Sequence, residues 1–577
     1  MPRTNEAVEA VLLEYADLLS ILSEDPFKPR AYEKAARAVG GYHADLVELD
    51  LKGILAIPNV GRSIGEKIHE YLETGSVAAL EELRAQIPAG VRQLMSIPGL
   101  GPKRAMVLYE ELGITAVDQL LDAIAERRLE GIKGFGAKTQ ENILRGVQQL
   151  HASGGRIQVN VALDVASDLL GELSQLEEVE RATYAGSLRR MAETIGDVDL
   201  LVASAHPRPI MERFVGLPLV DRVLASGETK SSILTTGGLQ VDLRVIPADT
   251  WGAALIYFTG SKAHNIRLRE MAIRKGLRLN EYGLFRVDTG KRIVARTEDE
   301  VYGRLGLPPI SPTLREDRGE IEAALAGELP AVLEQRQIRG DLHTHTDLTD
   351  GLATLEEMLE AAAGYGYAYY AVTDHAPNLA MQRMTDEKIL AQRQRLRELQ
   401  SRYPRMTLLH GSELNIDPDG GVDWPEDFLE GFDVLVASVH SHFSQSKDEM
   451  TRRIVRAMEN PRVHVIGHPT ARVIGRRQPI EFDFEEVFKA AARTGTAMEV
   501  NSFPDRLDLK DEHILWARRH GVKFAVATDS HATVHLGAMR FGVATAQRGW
   551  LTKDDVINAW PLAKLRRFLQ KGRRARS

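Results

Sequence analysis

The sequence predicts a multidomain chain: an all-α N-terminal region, an α+β middle and a C-terminal parallel β/α fold. Three observations carry that reading. From residue 5 to about 150, apolar residues recur at helical spacing, as in Val8, Val11, Leu12, Tyr15, Leu18, Leu19 and Leu22, between Gly-rich turns. From about 156, helices alternate with strand-like stretches at 197–202 and 240–245. In the last 240 or so residues, short apolar runs (367–372, 406–409, 434–437, 463–466, 497–500, 524–526) alternate with helix-like stretches such as 355–363 and 485–492. That rhythm is the signature of a parallel sheet wound with helices, as in a barrel. Residues 321–337, acidic and Ala-rich, read as a helical linker.

Composition narrows the function classes. A chain of 577 residues is too long for one core. With 44% hydrophobic and 27% charged residues it reads as a water-soluble globular protein. The absence of cysteine excludes a disulfide framework and thiolate metal sites, and it fits a reducing compartment. Met1-Pro2-Arg3-Thr4 leads into an amphipathic segment instead of an apolar signal region, and no apolar run reaches membrane-spanning length. The expected location is the cytoplasm, with no membrane partner. A net charge of −8 argues against a generic nucleic-acid coat but leaves a local phosphate grip open. No extended heptad appears, so a monomer is expected.

A motif of apolar, Pro or Lys, small, apolar and Gly repeats three times in the helical region: Ile57-Pro58-Asn59-Val60-Gly61, Ile97-Pro98-Gly99-Leu100-Gly101 and Ile132-Lys133-Gly134-Phe135-Gly136. It reads as a helix–hairpin–helix turn, whose backbone N–H groups meet a DNA phosphate at a helix N-terminus. Val60, Gly61, Gly99 and Gly101 are the expected DNA contacts, which are independent of base sequence. The third copy lacks the proline and reads equally as a plain packing turn. Lys67, on the helix after the first turn, reads either as a Schiff-base nucleophile toward an abasic sugar or as a cation for phosphate.

Asp197 and Asp199 share one face of a strand, and Asp242 leaves the apolar face of another. Three carboxylates on neighbouring strands suit two Mg²⁺ ions that activate a 3′-hydroxyl and stabilise leaving pyrophosphate. Ser187 and Arg190, in Gly186-Ser187-Leu188-Arg189-Arg190, are placed to hold triphosphate oxygens. The segment from Gly186 through Gly196 to Asp199 resembles the nucleotidyltransferase signature of the X-family DNA polymerases. Tyr257-Phe258-Thr259-Gly260-Ser261 and Asn280-Glu281-Tyr282-Gly283 resemble two further stretches of that family. The resemblance implies an N-terminal lyase-like domain (1–85), fingers (86–155), a nucleotidyltransferase palm (156–248) and a thumb (249–318), followed by a linker (319–336). It also implies site roles. Gly196 belongs to the nucleotide site, Tyr257 and Phe258 flank the incoming sugar, and Gly260 makes room for it. Asn265 reaches the minor-groove edge of the incoming base, and Arg269 and Tyr282 lie toward the template. Lys67 falls on the family's Schiff-base position. Lys262 departs from the vertebrate repair enzyme, which is acidic there; a cation at this point favours nucleotide binding before template pairing.

Twelve of the seventeen histidines lie from His343 onward. Nine N/O donors follow or end the apolar runs: His343, His345, Asp350, His375, Glu413, His440, His468, Asp529 and His531. A multinuclear metal site needs such a set, whereas a core does not. In β/α folds active sites collect at the carboxyl ends of strands. His343 and His345 are assigned catalytic as well as ligand roles, and His442 reads as an outer partner. Arg472 and Arg476 read as phosphate contacts or surface arginines. Asp341-Leu342-His343-Thr344-His345 and the later ligand motifs resemble the polymerase-and-histidinol-phosphatase (PHP) domain over residues 337–577. This resemblance implies a distorted (β/α)7 barrel holding up to three ions, with Mn²⁺ or Zn²⁺ suiting the donors.

The combined expectation is a DNA-directed DNA polymerase that fills short gaps in repair. Its partners are gapped or primer–template DNA and dNTPs, which places it at the nucleoid. The PHP domain supplies 3′–5′ exonuclease or 3′-end processing, and by resemblance cleavage at abasic sites. Other readings are a 3′-end-processing phosphoesterase with vestigial polymerisation, a small-molecule phosphatase module, and a scaffold that binds gapped DNA without chemistry.

Overall fold

The computed structural model describes residues 4–570 apart from 23–26, 41, 43–45, 96, 98–99, 137–138, 141–142, 145–146, 148–154 and 380–383. Helical periodicity at the N-terminus produces one shared core. Val8, Leu12, Tyr15, Leu18 and Leu19 of helix Thr4–Leu22 are buried against helix Phe27–Gly40, whereas Leu22, in the last turn, is exposed. The same core takes in the helices through Val117–Ala125.

Chain-order strand labels are used from here. β1 (Ile157–Gln158) pairs with β3 (Thr194–Ile195). β2 (Arg181–Tyr184), β4 (Asp197–Ala203), β5 (Val220–Ser226), β6 (Lys230–Thr235) and β7 (Gln240–Ile246) form a sheet of order β2-β4-β7-β6-β5, in which β4 and β7 are parallel. The period of two divides its faces. Val198, Leu200 and Val202 of β4, with Val241, Leu243 and Val245 of β7, pack on helices Val159–Leu173 and Pro207–Val215. The opposite face carries Asp197, Asp199 and Leu201 beside Gln240, Asp242, Arg244 and Ile246. Leu201 and Ile246 are covered there by Ala254 and Leu255 of helix Trp251–Thr259. That cover stops short of the aspartates, which leaves the carboxylates beside the end of the helix. A separate sheet, β8 (Leu277–Asn280), β9 (Gly283–Arg286) and β10 (Arg292–Val294), is antiparallel.

The stretch expected to be a helical linker is α-helical at Glu320–Ala326, with one 3-10 turn at Gln335–Gln337. Gly327, in the left-handed region at φ 72°, caps that helix, and Pro330 follows. The chain then joins the last region through a bridge between Val332 and Thr552.

The C-terminal region is a seven-stranded parallel sheet in sequential order: β11 (Gly340–Asp341), β12 (Tyr369–Val372), β13 (Thr407–Asn415), β14 (Val434–Ser438), β15 (Val465–Ile466), β16 (Ala497–Asn501) and β17 (Phe524–Ala527). A parallel bridge between Thr344 and Ser530 brings its two edges together, so the sheet is a nearly closed barrel. Leu342, Tyr369, Ala371, Leu409, Val436 and Ala525 fill the interior, and Trp560 and Leu565 plug its lower end. Alternate residues such as Tyr370 and Val372 face the outer helices. With the bottom filled by side chains, the top, at the strand carboxyl ends, is left for polar groups.

The barrel does not hang free of the rest of the chain. Leu507, Ala538 and Phe541 enter the core behind the β4–β7 sheet, and Trp550 packs on the core around helix Glu298–Leu305. Arg472 joins Glu193 of the palm at 2.7 Å, and Arg548 joins Glu316 at 2.7 Å.

Candidate active sites

Nine donors converge at the top of the barrel. β11 delivers His343 and His345, the next turn Asp350, β12 His375, β13 Glu413, β14 His440, β15 His468 and β17 Asp529 and His531. Glu413 is the hub. Its Oε1 lies 3.0 Å from His468 Nε2 and 3.1 Å from His440 Nε2; its Oε2 lies 3.0 Å from His375 Nδ1, 3.4 Å from His343 Nε2 and 3.5 Å from His345 Nε2. Asp529 Oδ1 is 3.2 Å from His345 Nε2, and Asp350 Oδ1 is 3.4 Å from both His375 Nε2 and His531 Nε2. Three groups result, each with ligand atoms within 4.8 Å of one another: His345, Asp350, His375 and His531; His343, His345 and Asp529; His375, Glu413 and His440.

The chemistry of these donors fits cations. His343 Nε2, both ring nitrogens of His345, His375 Nδ1 and Glu413 Oε2 are buried without a hydrogen-bond partner. Orphaned buried polar atoms are costly in a protein interior, and metal coordination removes the penalty. Burial alone would raise the Glu413 carboxyl, yet the imidazoles of His440, His343 and His375 hold it well below the usual range. Burial disfavours a charged His343, but the Glu499, Glu413 and Asp529 carboxylates reverse this and hold the imidazole well above its ordinary value. Burial and neighbouring imidazoles, by contrast, hold His345 below its ordinary value and push His440 down to about 4, which keeps both neutral as ligands must be. Imidazole and carboxylate donors without thiolates suit zinc, manganese or iron.

An outer layer orients the donors. Glu499 Oε1 lies 2.7 Å from His343 Nδ1, and its Oε2 accepts from the His468 N–H. Asn415 Oδ1 lies 2.7 Å from His440 Nδ1, and Asn501 donates to Asp529 Oδ2 at 3.1 Å. Asp374 accepts from Thr346 N (2.8 Å) and from the hydroxyls of Thr346 and Thr349 (2.6 Å each), which fixes the loop between His345 and Asp350. Directly after Asp350, a Cβ on Gly351 would stand 2.6 Å from the Thr346 carbonyl carbon, so only glycine lets the turn close. His468 and Asp529 hold left-handed φ values of 25° and 53°, strain of the kind that clusters at functional sites. The sequence reading missed Glu499 and Asn501. Their signal was a carboxylate and an amide two residues apart in an apolar strand, hence on one face. His442 is exposed, and its ring meets its neighbour Ser441 at 3.0 Å instead of any of the nine donors' hydrogen-bonding atoms among the described hydrogen bonds. Arg472 is held by the Arg506 carbonyl and Glu193, within the seam between barrel and palm.

In the palm, Asp199 and Asp242 are register partners on β4 and β7. Burial first, then the Asp197 and Asp242 charges, push the Asp199 carboxyl up to about 7. Such crowding is what a divalent cation relieves. Asp242 also meets Lys230 Nζ at 3.5 Å. Gly186 (φ 59°) lies against Asp199, where a Cβ would stand 2.3 Å from Oδ2. Ser187 is half-buried on the following turn, and Gly196 precedes β4. Arg190 is committed to internal partners: Glu316 at 3.0 Å and the Thr259 carbonyl at 2.6 Å.

Tyr257 and Phe258 sit at the end of helix Trp251–Thr259 with their rings 5.1 Å apart, and the Arg244 guanidinium lies over Phe258. Gly260 adopts φ 68°. Ser261 caps helix Lys262–Arg274, putting exposed Lys262 at its first position. Asn265 donates to the Tyr257 carbonyl at 2.7 Å. Arg269 and Tyr282 are exposed.

All three hairpin motifs share one backbone bond: Val60 N–H to Ile57 O (3.1 Å), Leu100 to Ile97 (2.9 Å) and Phe135 to Ile132 (3.1 Å). Helices Arg62–Thr74 and Pro102–Leu112 start directly after Gly61 and Gly101, both exposed. Asn59 and Gly134 hold the left-handed position at φ 63° and 94°; Gly99 lies outside the described residues. Lys67 Nζ contacts Ser63 Oγ at 3.1 Å and stands 5.5 Å and 5.9 Å from the Tyr15 and Tyr32 ring centres.

These features define a class: a nucleotidyltransferase-type palm joined to a PHP-type metal barrel. Residues 3–77 match the helix-hairpin-helix domain, 91–149 the SAM-like helix-hairpin-helix tandem, 254–316 the DNA polymerase beta thumb and 341–503 the PHP domain. The chain is 35% identical over 556 residues to the DNA polymerase/3′-5′ exonuclease PolX of Bacillus subtilis (strain 168), across 96% of this chain and 97% of that protein. It belongs to that PolX family. It is also 30% identical over 246 residues to a probable phosphatase of Thermoanaerobacter sp. (strain X514), covering 41% of this chain and 95% of that protein. DNA polymerase lambda of Rattus norvegicus is 26% identical over 323 residues, covering 51% of this chain and 53% of that protein.

Proposed function

We propose that this chain is a DNA polymerase with 3′–5′ exonuclease activity, filling short gaps during repair and trimming 3′ ends, with cleavage at abasic sites as a further use of the barrel. The observation that carries the reading is the coexistence on one chain of three crowded palm carboxylates and nine convergent barrel donors. The working units are 1–85, 86–155, 156–248, 249–318 and 337–577, joined at 319–336. The partners are gapped or primer–template DNA and dNTPs, handled by a monomer in the cytoplasm at the nucleoid.

In the palm, Asp197, Asp199 and Asp242 would hold Mg²⁺, which when bound activates the 3′-hydroxyl and stabilises pyrophosphate. Ser187, Gly196, Tyr257, Phe258, Gly260, Lys262 and Asn265 line the nucleotide site, with Arg190 bracing the turn at Thr259. In the barrel the nine donors would hold up to three Mn²⁺ or Zn²⁺ ions, which when bound supply a hydroxide and hold phosphate oxygens. There the outer carboxylate Glu499 fixes the His343 ring. The hairpin turns at Val60–Gly61 and Gly99–Gly101, with Arg269 and Tyr282, hold the DNA, and Lys67 is placed for Schiff-base attack on an abasic sugar. The test is a primer–template carrying a one-nucleotide gap. Extension with dNTPs and 3′ shortening without them, both abolished by chelator and restored by Mg²⁺ or Mn²⁺, support the reading. Release of phosphate from soluble monoesters alone would refute it.

A further inference from the structure

We infer that Arg548, a residue of the C-terminal barrel, is a positioning residue for nucleotide binding in the polymerase half. Helix Met539–Arg548 forms the seam between the two halves. Its first turns lend Phe541 to the palm core, and Trp550, just beyond its end, packs on the thumb core. Arg548 closes the helix with its side chain 9% exposed.

Every nitrogen of that guanidinium has a partner. Nε (2.9 Å) and Nη2 (2.8 Å) hold Asp511 Oδ2 of the barrel, which also accepts from Arg318 Nη1 at 3.0 Å. Nη1 crosses the seam to the backbone carbonyl of Arg190 (2.8 Å) and to Glu316 Oε1 (2.7 Å). Glu316 Oε1 is shared with Arg190 Nε at 3.0 Å, and Arg190 Nη1 donates to the Thr259 carbonyl at 2.6 Å. Thr259 immediately precedes Gly260, and a Cβ at Gly260 would stand 3.3 Å from Arg190 Nη1. Asp511, Arg548, Glu316 and Arg190 thus form a chain of alternating charge that ends on the turn leading into Ser261 and Lys262.

General domain glue does not explain this placement. Apolar docking is already provided by Leu507, Phe541 and Trp550, and a separate ion pair by Arg472 and Glu193. Arg548 instead grips Arg190 by its backbone and, through Glu316, by its side chain. Buried networks hold their members in one geometry only while every polar group is satisfied. Without Arg548, Asp511 keeps Arg318 and Glu316 keeps Arg190, so no charge is stranded and the fold persists. The Arg190 carbonyl loses a donor, and Glu316, with one cation left, draws the Arg190 guanidinium away from Thr259. The turn at Gly260 then loosens. This rests on the reading of residues 257–265 as the nucleotide pocket.

The test uses the full chain with Arg548→Gln, Arg548→Lys and Gly260→Val, measuring single-nucleotide gap filling and 3′ degradation. The expected result for Arg548→Gln is a KM for the dNTP raised roughly five- to twenty-fold, the scale of one lost charge-assisted bond, with kcat and 3′ degradation little changed. Arg548→Lys should recover part of the loss, and adding Glu316→Gln to Arg548→Gln should add little because the two act through one link. An unchanged KM while Gly260→Val raises it would overturn the role of Arg548. So would an equal fall of both activities in the Gln and Lys variants. If Gly260→Val also left KM unchanged, the pocket reading itself would fail and take this inference with it.

Discussion

Asp199 and Asp242 stand opposite each other on the parallel strands β4 and β7, and burial, with the charges of Asp197 and Asp242, moves the Asp199 carboxyl up to about 7. The sign of the resulting stability effect is definite. In the unfolded chain an aspartate titrates near 3.9, so between about pH 4 and pH 7 the metal-free folded protein binds the extra proton and loses stability as pH rises. Above about 7 the whole penalty is present. Asp199→Asn should therefore abolish gap filling while raising the metal-free melting temperature at pH 8, with the advantage gone at pH 4. Mg²⁺ should raise the melting temperature of the parent protein and leave the variant unmoved. A variant less stable than the parent at pH 8 without metal would show that the carboxylates do not repel each other as described.

Glu499 touches His343 and His468 without being one of the nine donors. Its role is to fix ring orientation and raise basicity, and outer carboxylates of this kind change metal affinity about 10–100-fold. Glu499→Gln should lower barrel metal affinity by that order, read by competition with a chelating dye, and slow 3′ degradation in proportion while gap filling persists. Unchanged affinity would mean that His343 is oriented by packing alone.

Lys262 occupies the first position of helix Lys262–Arg274, where a cation is disfavoured by the helix dipole unless an anion is nearby. Lys262→Ala should weaken binding of Mg²⁺-dNTP to the DNA-free protein by a few-fold to tenfold, about what one charge-assisted contact contributes. Equal affinity of parent and variant in equilibrium dialysis would remove this role.

Lys67 stands beside the paired Tyr15 and Tyr32 rings, half-buried, with Ser63 as its hydrogen-bond partner. Borohydride should trap the chain on DNA with a 5′-deoxyribose phosphate, and Lys67→Ala should not be trapped. Equal trapping of both would assign the chemistry to another amine.

Much of this was legible in the residues because the chemistry is placed by simple periods. Asp197 and Asp199 share a face through the strand period, and the barrel donors follow apolar runs because side chains at strand ends rise into the open mouth. The rest depended on partners distant in the chain. Strand β11 is only Gly340–Asp341, too short for any periodicity, and its place comes from pairing with β12 and from the bridge between Thr344 and Ser530. The linker was read as helical from its alanines and acids, a propensity that Gly327 and Pro330 override. Arg190 looks like a free phosphate ligand in sequence, but Glu316 and Arg548, from 126 and 358 positions away, engage its side chain and its carbonyl. Glu499 was hidden because its spacing from Asn501 marks one face of the strand without showing what that face meets until His343 is folded against it.

The central claim is that one chain carries two independent cation-holding sites, one making phosphodiester bonds and one breaking them. The most direct measurement is gap filling and 3′ degradation side by side for Asp199→Asn and Glu413→Gln, with bound metal counted for each protein. The account predicts that Asp199→Asn loses extension and keeps degradation, whereas Glu413→Gln keeps extension and loses both degradation and barrel metal. Loss of both activities in either variant, or full barrel metal in Glu413→Gln, would contradict it.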